Sequence, residues 1–208
     1  MKTAVIVCNG ENPLQEDLKF YWEKSDLKVA ADGGAIILKE YGFVPDRIIG
    51  DLDSWDHHSF LDIPVIRVEE QNTNDADKAI RYCIEQGIEE IALLGAHGKR
   101  SDQFVANLEV LYKYSSWIKV KLITNVDVIE VVRNQWEENL LVGTTLSLLP
   151  IFGIVEKITT TGLKFPLHNS SLEWGVPPSG VSNQVIATEV KMELQSNFPV
   201  LLIHQKPI

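Results

Sequence analysis

Short apolar runs alternate with amphipathic segments along the first 132 residues of the chain. The runs are rich in β-branched residues, which is typical of buried strands, while the segments between them repeat apolar positions at helical spacing. In the first of these segments, for example, Leu14, Leu18, Tyr21 and Trp22 recur at that spacing. The pattern predicts strands at 3–8, 27–31, 47–49, 65–68, 91–94, 119–123 and 126–132, and helices at 13–24, 35–41, 76–86 and 103–114.

The pattern changes after about residue 135. Segments 140–149, 154–160, 185–194 and 200–204 are rich in β-forming residues, and glycine and proline separate them. The first part therefore predicts an α/β fold with a mainly parallel sheet flanked by helices, and the second part predicts an all-β sandwich. We place the domains at 1–134 and 135–208.

Composition narrows the possible functions. A hydrophobic content of 45% is enough for a substantial core, and a formal net charge of −10 argues against a nucleic-acid backbone as partner. Cys8 and Cys83 do not form a disulfide framework. The apolar run at the N-terminus is too short for a signal peptide, and no run is long enough to span a membrane. We expect a soluble cytoplasmic protein.

The segment Gly50-Asp51-Leu52-Asp53-Ser54 directly follows the predicted strand 47–49. Asp51 and Asp53 repel each other unless a cation lies beside them, and Mg²⁺ prefers such carboxylate oxygens and accompanies phosphate. The alternative is a solvated turn, because Asp, Gly and Ser are common turn residues.

Three more polar loops follow predicted strands. In Asp32-Gly33-Gly34 the glycines allow close approach of the backbone to a ligand, or simply form a tight turn. Asn74 or Asp75 can contact a ligand or cap the next helix, and Lys78 can neutralise a phosphate or face solvent.

The last of these loops contains Arg100 and Asp102. Arg100 offers a planar fork for phosphate oxygens, while Asp102 can accept a proton, hold a hydroxyl or cap a helix. We interpret His97, in the same loop, as structural. Since loops that follow parallel strands emerge at one edge of the sheet, all four loops should converge there, where ligands bind in such folds.

These loops resemble, in order, the signature of thiamine pyrophosphokinases. The resemblance is carried by segments 31–35, 50–54, 71–78 and 98–107, and the second part of the chain resembles that family's second domain at 160–167 and 181–183. It implies an ATP- and Mg²⁺-binding α/β catalytic domain followed by a β-sandwich that binds thiamine, in a homodimer whose active sites lie at the subunit interface. It also implies transfer of the pyrophosphoryl group of ATP to the thiamine hydroxyl, with release of AMP.

The resemblance also assigns roles to residues. The metal ligands are Asp51, Asp53 and Asp75, and Arg100 and Asp102 complete the catalytic set. The acidic segment admits a second register in which Asp77 replaces Asp75. Substrate-binding candidates are Asp32, Gly33, Gly34, Gln71, Asn74, Lys78, Gln103, Ser182, Asn183 and Trp174, where Trp174 either stacks on thiamine or serves packing.

Two other functions remain compatible with the sequence. One is a different ATP- and Mg²⁺-dependent transferase that acts on another alcohol. The other is a sensor that binds thiamine or a nucleotide without turnover, although a sensor does not need several metal-binding carboxylates.

Replacing Asp51 or Asp53 by alanine should lower turnover by orders of magnitude without unfolding the chain, because each change removes a metal ligand from a loop. Steady-state assays with ATP and thiamine, together with circular dichroism, test this. Near-wild-type turnover in either pure variant would remove that residue from the metal site.

Overall fold

The computed structural model describes residues 1–51, 63–68, 70 and 72–206. These residues form two compact units, Met1–Asn125 and Val126–Ile208. The predicted fold class is confirmed, since the first unit is α/β and the second is an antiparallel β-sandwich.

Among its described residues, the first unit has a sheet of six parallel strands. Their order across the sheet is β6-β5-β1-β2-β3-β4. They are β1 (Thr3–Val7), β2 (Leu27–Ala31), β3 (Arg47–Gly50), β4 (Val65–Arg67), β5 (Glu90–Leu94) and β6 (Lys119–Ile123). Two adjacent inner strands, β1 and β5, are almost wholly apolar and buried, which is what a strand covered on both faces requires.

Four helices connect these strands in the described part of the unit. They are α1 (Gln15–Lys24), α2 (Gly34–Tyr41), α3 (Asp75–Glu85) and α4 (Ser101–Tyr114). The connections through α1 and α2 move in one direction along the sheet and those through α3 and α4 in the other. Because such crossovers are right-handed, the two pairs cover opposite faces, and α3 and α4 touch each other. The direction changes between β1 and β5, which makes their carboxyl ends the topological switch point.

The ends of two helices follow from local chemistry. α2 ends at Gly42, which has a φ of 75° and donates its N–H to the carbonyls of Leu38 and Lys39, as a left-handed C-terminal cap does. α3 begins one residue earlier than predicted because the Asn74 side chain caps it, accepting a hydrogen bond from the N–H of Asp77.

The second unit contains two antiparallel sheets in the described residues, with orders β12-β9-β14-β7 and β11-β10-β13-β8. Its strands are β7 (Asp127–Val132), β8 (Gln135–Asn139), β9 (Thr145–Leu149), β10 (Val155–Thr161), β11 (Ser170–Leu172), β12 (Asn183–Gln184), β13 (Glu189–Leu194) and β14 (Val200–Gln205). A single apolar core joins them and draws residues from both sheets, including Leu146, Val155, Met192 and Leu202.

The structure assigns the strand at 126–132 differently from the sequence pattern. β7 pairs antiparallel with β14 along six residues and belongs to the second unit, whereas the pattern grouped it with the parallel strands. The boundary between the two units along the chain therefore follows Asn125, and the sequence division at 134 falls between β7 and β8. The buried apolar run of β7 has the same composition as the strands before it, so only its pairing separates it from them.

No helix in the described ranges is long and apolar enough to cross a membrane. Cys8 and Cys83 are both buried free thiols. Burial raises the pKa of each to about 12, so both stay protonated and poorly reactive at neutral pH.

Candidate active site

A cleft of about 440 Å³ opens at the carboxyl edge of the first unit, at the switch point between β1 and β5. Loops after β1, β2 and β5 and the first turns of α3 and α4 surround it. Its lining residues are Cys8, Asn9, Gly10, Ala31, Asp32, Asn74, Asp75, Ala76, Gly95, Ala96, His97, Gly98, Lys99, Arg100, Gln103, Phe104 and Asn107.

The backbone at the cleft floor is held together by hydrogen bonds between two loops. The N–H of Gly10 donates to the carbonyl of Gly95 at 2.6 Å, and that of Glu11 donates to the carbonyl of His97 at 2.7 Å. Glycine is required at the contact, because a Cβ on Gly95 would lie 2.5 Å from the Cys8 carbonyl oxygen, and Gly95 has a φ of 64°. These bonds fix the ends of β1 and β5 relative to each other.

Gly33 and Gly34 pack directly against other atoms of the protein and do not border open space. A Cβ on Gly34 would lie 1.9 Å from the Val7 carbonyl oxygen, and one on Gly33 would lie 2.2 Å from Nδ2 of Asn9. The two glycines thus allow α2 to begin directly against the end of β1. Their close contact supports the tight-turn interpretation of the motif.

Asp32 occupies the most constrained position at the cleft. It is 3% exposed, and its φ of 40° lies in the left-handed region, which costs a non-glycine residue about 1–2 kcal/mol. Its N–H donates to the Ile49 carbonyl at 2.7 Å. Its Oδ1 is buried without a hydrogen-bond partner among the residues that the structure describes, and such an atom costs stability unless a ligand satisfies it.

Asp75 begins α3 and faces the same cleft. Its Oδ1 lies 3.0 Å from Nζ of Lys78, whose side chain is only 3% exposed. Lys78 therefore neither faces solvent nor lines the cleft. Burial raises the pKa of Asp75; the Lys78 ammonium partly offsets this, and the negative charges of Asp32 and Asp51 raise it further. Asp75 thus has two further carboxylates within electrostatic reach, and a cation would stabilise such a site.

Asp77, the other candidate for the acidic position, lies outside the cleft. Its side chain is 7% exposed and bonds to Nζ of Lys113 at 2.6 Å and to the Tyr114 hydroxyl. The hydrogen bond to Asp77 raises the pKa of Lys113. Since Lys113 and Tyr114 belong to α4, Asp77 joins α3 to α4. The geometry thus favours the register in which Asp75 faces the ligand.

Asn74 serves local structure. Besides capping α3, its Nδ2 donates to Oδ1 of Asn107 at 2.9 Å, and Asn107 in turn donates to the Ala96 carbonyl at 2.7 Å. This chain of bonds links the start of α3 to α4 and to the loop after β5, at the wall of the cleft.

Arg100 stands at the mouth of the cleft with most of its side chain exposed. It forms two hydrogen bonds to Asp102, from Nε at 3.1 Å and from a terminal nitrogen at 2.6 Å. These bonds lower the pKa of Asp102, which stays ionised. Arg100 and Gln103 line the cleft, and Asp102 holds the Arg100 guanidinium at its edge.

Two lining residues of the cleft, Asn9 and Lys99, are not among the candidates predicted from the sequence. Asn9 and Glu11 follow β1, and Lys99 donates from Nζ to the Asn9 carbonyl at 3.3 Å and to its Oδ1 at 3.4 Å. His97 pairs through Nε2 with Glu11 at 2.9 Å, which fits the structural role predicted for it. The position of Asn9 directly after the first strand was the available signal, because β1 ends at the same edge as the acidic loops.

Asp51 follows β3 and is partly exposed. Its negative charge is one of those that raise the pKa of Asp75. Asp53 and Gln71, the remaining candidates in the first unit, lie outside the residues that the structure describes.

The second unit contains three predicted substrate-binding residues, Trp174, Ser182 and Asn183, and they lie in different environments. Trp174 is 65% exposed and borders a groove of about 540 Å³ with Glu173, Val176 and Val181. Asn183 is buried and bonds to both the N–H and the carbonyl of Phe165, at 3.0 and 2.7 Å.

Ser182 has a φ of 57° and donates its N–H to Oγ of Ser147 at 3.0 Å. Ser182 and Asn183 follow Val181 directly, so the chain brings them near the groove, but neither lines it.

Two family models match the chain. The model described as "Thiamin pyrophosphokinase, catalytic domain" matches residues 18–122, and the one described as "Thiamin pyrophosphokinase, vitamin B1 binding domain" matches residues 130–199. The chain belongs to the thiamin pyrophosphokinase family. The predicted family is confirmed, and each match falls within one of the two units.

Relatives of this family match along most of the chain. It is 29% identical over 198 residues to thiamine pyrophosphokinase of Bacillus subtilis (strain 168), covering 89% of this chain and 91% of that protein. It is 27% identical over 230 residues to thiamine pyrophosphokinase 1 of Arabidopsis thaliana, covering 95% of this chain and 84% of that protein.

Solved structures of thiamin pyrophosphokinases have the same fold. The structure from Bacillus subtilis has a TM-score of 0.88 at 25% identity and covers all of both chains. That from Geobacillus thermodenitrificans has a TM-score of 0.85 at 26% identity and covers 99% of this chain and 98% of the other.

Replacing Asp77 by asparagine should lower the free energy of unfolding while leaving turnover close to that of the wild type. The change weakens bonds to Lys113 and Tyr114, and a hydrogen bond that involves a charged group contributes about 1.5–3 kcal/mol. Urea unfolding and steady-state assays of the same preparation measure both effects. Turnover reduced by orders of magnitude at unchanged stability would instead make Asp77 the acid that faces the ligand.

Proposed function

We propose that this chain is a thiamine diphosphokinase, which transfers the pyrophosphoryl group of ATP to the hydroxyl of thiamine and releases AMP. The observation that carries the proposal is the cleft at the switch point, where Asp32, Asp75 and Arg100 surround one opening in a chain of this family. The first unit binds ATP, and the second binds thiamine.

The carboxylates of the cleft are suitable ligands for a hard cation, and we propose Mg²⁺ as the cofactor. Oδ1 of Asp32 is buried without a protein partner in the described residues, and Asp32 and Asp51 raise the pKa of Asp75 through their charge. Asp51, Asp53 and Asp75 would hold the ion, with Asp32 beside them. When bound, the ion supplies positive charge to the phosphate oxygens and orients them.

The protein's own part in the reaction is to position the reactants and to oppose developing negative charge. Pyrophosphoryl transfer needs the thiamine hydroxyl in line with the β-phosphorus of ATP. Arg100 now donates two hydrogen bonds to the carboxylate of Asp102. It can donate the same two bonds to phosphate oxygens instead, because carboxylate and phosphate both present anionic oxygens at similar spacing. Lys99, at the same rim, adds a second positive charge.

Thiamine is a cation with an aromatic ring, and the groove beside Trp174 has matching chemistry. Glu173 contributes a carboxylate there, and Trp174 presents a largely exposed indole, which attracts cations over its face. Ser182 and Asn183 directly follow the groove residue Val181, and they are candidates for polar contacts with thiamine.

We further propose a homodimer in which thiamine binds between subunits. Exposed apolar side chains of the second unit support an interface, among them Phe165, Trp174 and Ile186. Sedimentation of the purified chain tests the dimer.

ATP as substrate and two free buried thiols support the cytoplasm as the site of action.

Incubation with ATP, thiamine and MgCl₂, followed by chromatography of nucleotides and thiamine phosphates, tests the reaction. Equal amounts of AMP and thiamine diphosphate are expected. Formation of ADP and thiamine monophosphate would change the reaction class while keeping the metal site. Thiamine binding without any product would favour a sensor.

Replacing Arg100 by lysine should reduce turnover by about 10- to 100-fold. Lysine keeps the charge but lacks the planar fork, and one charge-assisted hydrogen bond contributes about 1.5–3 kcal/mol, where 1.36 kcal/mol corresponds to a factor of ten. Arg81→Lys is the matched control, since Arg81 lies on α3 and pairs with Glu70 outside the cleft lining. Equal turnover of the two variants would show that Arg100 is an ordinary surface charge without a role in the reaction.

A further inference from the structure

Three side chains with metal-binding chemistry converge inside the β-sandwich, and the proposed function uses none of them. Glu130 lies on β7, Glu138 on β8 and His204 on β14. Each offers one ligand atom, and these atoms lie within 4.8 Å of one another. Glu130 and His204 are both only 3% exposed.

The strand registers show that Glu130 and His204 point into the sandwich. Val132 is opposite Val200, Glu130 is opposite Leu202, and Val128 is opposite His204. Alternate residues along a strand share a face, so both polar residues share the face that carries the core residues Val132, Val200 and Leu202.

The same alternation places Glu138 on the inner face of the other sheet. It stands between Trp136 and Leu140, at a spacing of two residues from each, and both of these belong to the core. Apolar side chains would be expected at all three inward positions of the cluster. Two carboxylates and an imidazole, all groups that bind metal ions, stand at these positions instead.

His204 has the hydrogen bond that metal-binding histidines commonly make. Its Nδ1 lies 3.0 Å from the carbonyl oxygen of Gln205, and a carbonyl can only accept, which assigns the proton to Nδ1. In a neutral ring Nε2 then carries a lone pair. Nε2 is buried without a hydrogen-bond partner in the described residues, and a ring nitrogen whose opposite N–H donates to a backbone carbonyl is set up as a metal ligand.

The distances around Nε2 suit two ligands of one ion better than a direct hydrogen bond. Nε2 lies 3.9 Å from Oε2 of Glu138, which is beyond hydrogen-bonding range. Two ligands of a tetrahedral zinc ion, each bound at about 2.0–2.2 Å, lie about 3.4 Å apart, so a shift of about half an ångström is enough. Glu130 accepts a hydrogen bond from Nε1 of Trp136 at 3.2 Å, which orients its carboxylate.

We propose that Glu130, Glu138 and His204 form a binding site for a divalent transition-metal ion of the Zn²⁺ class, which links the two sheets of the sandwich. The donor set of one imidazole nitrogen and two carboxylate oxygens suits Zn²⁺, whereas Mg²⁺ prefers oxygen ligands and water. The ion joins β7 and β14 of one sheet to β8 of the other. This site is independent of the nucleotide cleft.

Calorimetric titration of the untagged, metal-stripped full chain with ZnCl₂ in excess MgCl₂ tests the site, because Mg²⁺ competes at the all-oxygen acids of the cleft. The variants are His204→Gln and Glu138→Gln. The matched controls are His168→Gln, at an exposed loop position, and Glu137→Gln, the neighbour of Glu138 on the opposite face of β8.

We expect one equivalent of Zn²⁺ to bind the wild type and both controls with equal affinity and to raise their melting temperature. Each site variant should bind at least about 100-fold more weakly, since loss of an outer partner of a metal ligand alone costs about 10- to 100-fold. No stoichiometric binding to the wild type, or undiminished binding to folded Glu138→Gln, would overturn the proposal.

A readout on the wild-type chain covers the case in which a site variant fails to fold. Zn²⁺ should shift the Nε2 resonance of His204 in the ¹⁵N NMR spectrum of the imidazole rings and leave Nδ1 protonated. A shift confined to other histidines would exclude His204 as a ligand.

Discussion

The parallel pairing of β1 with β5 is the constraint on which the first unit depends. The chain builds the sheet outward from β1 in one direction and then returns to pair β5 on its other side, so the loops after the two strands leave towards opposite faces. Their divergence opens the cleft, and hydrogen bonds between Gly10 and Gly95 and between Glu11 and His97 keep it from widening. The acids that face it are presented by neighbouring elements whose positions follow from the same sheet.

The cleft concentrates negative charge at a cost in stability. Asp32 is buried in a left-handed conformation, Asp75 is partly buried beside it, and Lys78 neutralises only part of the total. A protein selected for stability alone would replace such residues, and their presence together is typical of binding sites. In the second unit, the polar cluster of Glu130, Glu138 and His204 lies beside the apolar core of the sandwich.

The sequence predicted the fold class and the edge of the sheet where the polar loops meet, because strand composition and loop order are local properties. It did not separate β7 from the parallel strands, since pairing partners are distant in sequence. It also missed β8, an edge strand in which the polar residues Gln135, Glu137 and Glu138 surround one buried core residue, Trp136. The alternative roles of Asn74, Asp75 and Asp77 depended on which face of α3 each occupies, and only the packing of α4 against α3 separates them.

The tight glycine contacts also restrict how this cleft can change during evolution. A side chain at Gly10, Gly34 or Gly95 would collide with backbone carbonyl oxygens at 2.3, 1.9 and 2.5 Å, and backbone cannot move aside as a flexible side chain can. These positions are closed to all other amino acids, so the floor of the cleft keeps one shape. Adaptation to a different nucleotide would therefore arise at the walls, at positions such as Asn9, Lys99 and Gln103, where side chains can be exchanged without moving a strand.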